Sequence, residues 1–144
     1  MYSGFTPLVK AHRLAEALGV KEPYIKDDSV NHPTFSYKEV AEQLGWRLPK
    51  HIVVASAGGT ILPKLAKAFK ELVKVGLVQD TGCKIHSGQA AGCAPIINAL
   101  HQGTDLISPV KPNTIASSIA IGKPADGYYV VHAVQESGGW GVAV

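Results

Sequence analysis

One stretch constrains the fold more than any other. His51-Ile52-Val53-Val54-Ala55 is a short run rich in β-branched residues, followed by the small-residue turn Ser56–Gly59 and then by a long helical period. The first five residues read as a strand. Thr60–Val75 reads as a helix, because Ile61, Leu65, Phe69, Leu72 and Val73 recur on one face. The pattern restarts at Lys84–His86, a second strand that leads through Ser87–Gly92 into a helix near Ala94–Leu100. Two strand–turn–helix units in succession call for an α/β fold: a mostly parallel sheet flanked by helices. The two strands should lie side by side, with the helix Thr60–Val75 crossing between them in the right-handed sense.

The rest of the chain is read around that unit. At 144 residues there is room for one domain, expected over 1–144. A helix is expected over Ala11–Leu18, stopped by Gly19, where a left-handed cap comes easily to glycine. Glu22–Lys26 follows as a short strand, Asp27–Pro33 as a polar turn, and Tyr37–Leu44 as a helix stopped by Gly45. Thr104–Pro112 is a proline-bearing loop. Asn113 is expected to cap a helix over Thr114–Ile121, and Asp126 another over Gly127–Gln135.

Composition narrows the function classes. A net charge of +3, with 17% charged residues, is mild. Lys64, Lys67, Lys70 and Lys74 follow helical spacing and read as a solvated helix face. Without clustered arginines or interleaved aromatics they make no nucleic-acid footprint. Cys83 and Cys93 form neither a C-x-x-C pair nor part of a metal-ligand set, and read as core residues. No apolar run approaches the ~20 residues that span a bilayer, and the N-terminus lacks a signal pattern. No membrane association is expected, and the setting is read as cytoplasmic.

Two places can carry chemistry. In Ser56-Ala57-Gly58-Gly59-Thr60, small residues let backbone N–H groups approach an anion, and the following helix adds its positive end. The turn is neither a Walker loop nor G-x-G-x-x-G, so a phosphate cradle and a plain tight turn both stay open. The second place is Asn31-His32-Pro33-Thr34-Phe35-Ser36-Tyr37-Lys38. A lysine at a helix start feels the positive end of the dipole, which favours the neutral amine that imine formation needs. Without further context an ordinary surface lysine is the better reading. His32 and His86 have no carboxylate nearby in sequence and read as solvated or hydrogen-bonded side chains.

Taken together these residues resemble a known family. Lys26-Asp27-Asp28 followed by Asn31-x-Pro33-Thr34-x-Ser36-Tyr37-Lys38 is similar to the segment that carries the cofactor lysine in threonine synthases and their fold-type II pyridoxal-phosphate relatives. Thr6-Pro7-Leu8, with Arg13-Leu14-Ala15, looks like the family's lead-in. From Glu39 to Gly139 the resemblance is to threonine synthase itself. It runs through Ala41–Trp46, Phe69–Leu72, Gln89–Pro95, Lys111–Ala116, Ile121-Gly122-x-Pro124-Ala125-Asp126 and Glu136–Gly139. The resemblance implies the large-domain core of the fold-type II architecture, with pyridoxal 5'-phosphate as cofactor. It makes Lys38 the Schiff-base lysine and Ala57, Gly58, Gly59 and Thr60 the loop that grips the cofactor phosphate. The implied reaction converts O-phospho-L-homoserine and water to L-threonine and phosphate.

The match also breaks. In full-length relatives a smaller domain follows the lysine segment, whereas here Ser36-Tyr37-Lys38 runs straight into Glu39-Val40-Ala41-Glu42. Trp140–Val144 does not resemble the family's continuation, and Ala57 and Thr60 stand where relatives often carry glycine or serine. The expectation is therefore weak or absent turnover, set against an alternative of a non-catalytic α/β scaffold. A homo-oligomer is expected, with the apolar tail or the Lys84–Gly88 region at the contact.

Overall fold

The computed structural model describes residues 6–27 and 39–144. The chain divides into two compact units, Met1–Arg47 and Leu48–Val144.

In the first unit, β1 (Leu8–Lys10) and β2 (Tyr24–Lys26) pair antiparallel, with Leu8 opposite Lys26. Between them runs α1 (His12–Leu18), which ends at a left-handed Gly19. The expected helix and second strand are both present; β1, only three residues long with both Val9 and Lys10 exposed, carries too little pattern to be read. A short helix α2 (Glu39–Gln43) buries Val40 and Ala41. It is fastened through Lys26, whose Nζ donates to Thr6 O (2.6 Å), Gln43 Oε1 (2.8 Å) and Glu39 Oε2 (3.1 Å). All three ammonium protons therefore have acceptors, which is what a largely buried lysine requires.

The second unit holds β3 (His51–Ala55), α3 (Ile61–Lys74), β4 (Lys84–Gln89), α4 (Pro95–Gln102), α5 (Gly127–Glu136) and β5 (Gly141–Ala143). Its sheet has the order β3-β4-β5, and both pairings are parallel. The expected pair of strands is thus adjacent, with α3 as the crossover. Helix α5 packs on β4 between α3 and α4. The covered face of the sheet carries Ile85, Ser87 and Gln89, facing a core of Leu62, Leu65, Phe69, Leu72, Ile96, Ile97, Val130, Val131 and Val134. The other face is open: Val53 is 73% exposed and Val142 45%. Lys64, Lys67, Lys70 and Lys74 all lie on the exposed side of α3, as their spacing implies.

Two expectations are corrected. Thr114–Ile121 is not an α-helix but a strap with a single 3-10 turn at Ser117–Ile119. Its backbone is engaged elsewhere: Asn113 N–H donates to Gly92 O and Val110 N–H to Gly122 O, while Thr114 Oγ1 accepts Ala116 N–H. Ile115 is fully exposed, so no apolar stripe exists to hold a helix down. The second correction concerns the tail, which was expected to meet another chain because five residues cannot form a strand and return. No return is needed. Helix α5 has already brought the chain back, so β5 enters beside β4 with Ser87 opposite Gly141 and Gln89 opposite Ala143.

Candidate functional site

The loop Ser56–Thr60 sits at the carboxyl end of β3 and opens α3, the usual location of ligand sites in open α/β sheets. Ser56 N–H still belongs to the ladder, donating to Gly88 O at 2.8 Å. Below the loop, Ser87 Oγ donates to Ser56 Oγ at 2.8 Å, so the turn's first side chain is tied to the buried face. Among the described residues, the backbone N–H groups of Ala57, Gly58, Gly59 and Thr60 meet no protein acceptor. The first N–H groups of α3 are orphans by helix geometry. Pro63 stands in that first turn, where it removes a donor that lacks an intrahelical partner anyway.

Gly59 is the residue that shapes the loop. Its φ is 94°, and a Cβ there would lie 3.0 Å from both the Asp126 carbonyl carbon and Val130 Cγ2. A side chain there would press on α5 and would also hold a strained backbone. At Gly58 the conformation is ordinary, and a Cβ would only touch Ile121 Cδ1 at 3.6 Å. Asp126 closes the far side: its N–H donates to Gly58 O at 3.0 Å, and its Oδ2 accepts from Thr60 Oγ1 at 2.8 Å. Sequence reasoning gave Asp126 only the role of helix cap. Its partner lies 66 residues away, and local pattern carries no trace of such a contact.

Of the predicted site residues, the structure brings Ala57, Gly58, Gly59 and Thr60 into one turn. Lys38 and the segment Asn31–Tyr37 lie outside the described residues. The loop has features that suit a phosphate group: N–H donors that meet no acceptor among the described residues, and a helix N-terminus, in a turn that Gly59 lets pack closely against α5.

Elsewhere the polar groups are structural. His86 Nδ1 accepts Trp140 N–H at 3.0 Å, so the neutral ring carries its proton on Nε2 and donates to His51 Nδ1, also at 3.0 Å. Burial holds the His86 pKa below the ordinary histidine value, helped by His51 and Lys84, which oppose a further positive charge. Cys93 is buried, and the half-buried Cys83 thiol is pushed up to about 11, mainly by burial and then by Asp80. It is therefore no thiolate nucleophile. A cleft of about 360 Å³, lined by Phe69, Val73, Cys83 and Ile85 with Lys70 and Glu136 at its rim, lies by the amino end of β4, away from the loop. Among the described residues no cluster of three or more His, Cys, Asp or Glu side chains could hold a metal ion, and no helix is long and apolar enough to cross a membrane.

No family model matches the chain. Threonine synthase from Methanocaldococcus jannaschii is 33% identical over 107 residues, which is 74% of this chain and 26% of that protein. Threonine synthase from Methanosarcina acetivorans is 33% identical over 102 residues, 70% of this chain and 25% of its own length. The chain thus spans about a quarter of the length of these curated relatives. Among solved structures, the processed form of threonine deaminase isoform 2 from Solanum lycopersicum superimposes with a TM-score of 0.52 at 22% identity, over 92% of this chain and 36% of that one. At that identity the likeness speaks for the fold alone. The chain is therefore similar to threonine synthases over about three quarters of its own length, in a stretch carried on a parallel α/β core of the fold-type II kind.

Proposed function

We propose that the second unit binds the phosphate group of pyridoxal 5'-phosphate through the backbone N–H groups of Ala57, Gly58, Gly59 and Thr60, and that Lys38 is the residue to which the cofactor is joined. The observation that carries this is the set of N–H donors at the start of α3 that meet no acceptor among the described residues, in a turn whose positive φ at Gly59 favours glycine. The similarity to threonine synthases supports the identity of the ligand. When bound, the cofactor supplies an electron sink for negative charge on a substrate carbon. The loop's part is to fix the phosphate, and the part assigned to Lys38 is attachment and, through Nζ, proton transfer.

The substrate class is that of threonine synthase, O-phospho-L-homoserine, and turnover by this chain is expected to be very slow or undetectable. Positioning of a substrate accounts for ~7–11 kcal/mol of a barrier in favourable cases, and Ser36-Tyr37-Lys38 runs straight into Glu39 where the resembling enzymes carry a smaller domain. Mixing the purified chain with the cofactor, reducing with borohydride and mapping the peptides tests the site. The label belongs on Lys38, and Gly59→Val should weaken uptake. A label on another lysine, such as Lys64, overturns the assignment, and absence of any binding favours the non-catalytic scaffold. Threonine formation at roughly 1–1,000 per second would refute the expectation of impaired catalysis.

A further inference from the structure

Thr60 and Asp126 are the residues at the N-termini of α3 and α5, where a threonine or aspartate side chain ordinarily accepts a backbone N–H of its own helix. Neither does so. Each is used by the other instead, with Thr60 Oγ1 donating to Asp126 Oδ2 at 2.8 Å. The backbone reinforces the link through Asp126 N–H on Gly58 O, and through the close approach of Gly59 to the Asp126 carbonyl. Two helix N-termini, each with orphan donors and the positive end of a dipole, thus meet at the loop beside a single carboxylate.

We infer that the Asp126 carboxylate is a built-in counter-anion of the Ser56–Thr60 loop and sets how strongly the loop takes a phosphate dianion. This rests on the cofactor-phosphate reading above. Two effects act in the same direction. The carboxylate repels an incoming anion across a short distance, and it holds the Thr60 hydroxyl proton, so the hydroxyl turns lone pairs rather than a donor toward the phosphate. Replacing Asp126 by asparagine keeps the size, and keeps an acceptor oxygen for Thr60, but removes the charge. Thr60 is exposed and Asp126 only partly buried, so solvent screening limits the effect to about three- to ten-fold in affinity.

The test compares the full chain with Asp126→Asn, titrating each with inorganic phosphate and separately with pyridoxal 5'-phosphate by calorimetry, in low salt and in about 0.5 M salt. The asparagine variant is expected to bind both ligands about three- to ten-fold more tightly in low salt, with the advantage shrinking in high salt. Unchanged or weaker binding by that variant, when the parent chain does bind, overturns the inference and leaves the cofactor reading in place. If neither protein binds either ligand, the cofactor reading falls and the inference with it. Thr60→Val, which keeps the carboxylate and removes only the hydroxyl lone pairs, serves as the second variant and should gain clearly less than Asp126→Asn. A gain there equal to that of Asp126→Asn would trace the effect to the hydroxyl and overturn the role given to the charge.

Discussion

Gly59 carries two constraints at once, a left-handed backbone and a neighbour at contact distance. Gly59→Val should therefore destabilise the chain by about 2–4 kcal/mol, combining backbone strain with overpacking. Gly58→Ala should cost less than about 1 kcal/mol, since its Cβ meets only Ile121 at an ordinary distance; urea denaturation of the two variants distinguishes them. His86 makes a pH prediction. Its folded pKa is depressed, so the unfolded chain binds the extra proton first. The stability it contributes is complete above the ordinary value of 6.5 and is lost as pH falls from there through the folded pKa. Unfolding free energies measured between roughly pH 5 and 7.5 should fall on the acid side in the parent chain and fall less in His86→Gln. The glycine was legible in the sequence because a turn between strand and helix announces it. The histidine pair was not, since it depends on the β3–β4 register, which puts Val53 opposite His86.

Among the elements, α3 was the easiest to read and is the most consequential. Its fourteen residues bury Leu62, Leu65, Ala66, Ala68, Phe69 and Leu72 along one side. The expected stripe named Leu65, Phe69 and Leu72 correctly, included Ile61 and Val73, which are only half-buried, and missed Leu62 and the two alanines one position away. Phe69→Ala should cost about 3–5 kcal/mol, read as a shift of the thermal midpoint. The strap around Ser117 was misread because Asn113 and Thr114 look like helix-starting residues, and only tertiary partners reveal that their polar groups are used across the chain. The same holds for Asp126, whose helix α5 was anticipated while its side chain went to Thr60 rather than to the helix it begins. Propensity and periodicity identify an element. They do not say which neighbour claims its terminal groups.

For the whole molecule, the parallel order of the larger unit's sheet matters most. Parallel sheets are ordinarily covered on both faces, yet Val53 and Val142 stand exposed on one. The homo-oligomer expected from the sequence can be tested at this face: if the chain self-associates through it, it sediments as a dimer or larger at tens of micromolar concentration and Val53→Lys shifts it toward monomer. A chain ending at Gly139 should lose stability, because the strand that pairs with Ser87–Gln89 would be gone. Gly141→Val should act likewise, since a Cβ there would come within 2.8 Å of Ile97 and Leu100 side-chain atoms. The sheet also has a kinetic consequence. His51 finds its partner at Lys84, 33 residues on, and Ser87 finds its own at Gly141, 54 residues on. No hairpin seeds this unit, so loop-closure entropy must be met before any strand is rewarded. During refolding the uncharged run His51-Ile52-Val53-Val54-Ala55 stays without a neighbour until that first closure, and recovery from denaturant should improve as the protein is diluted.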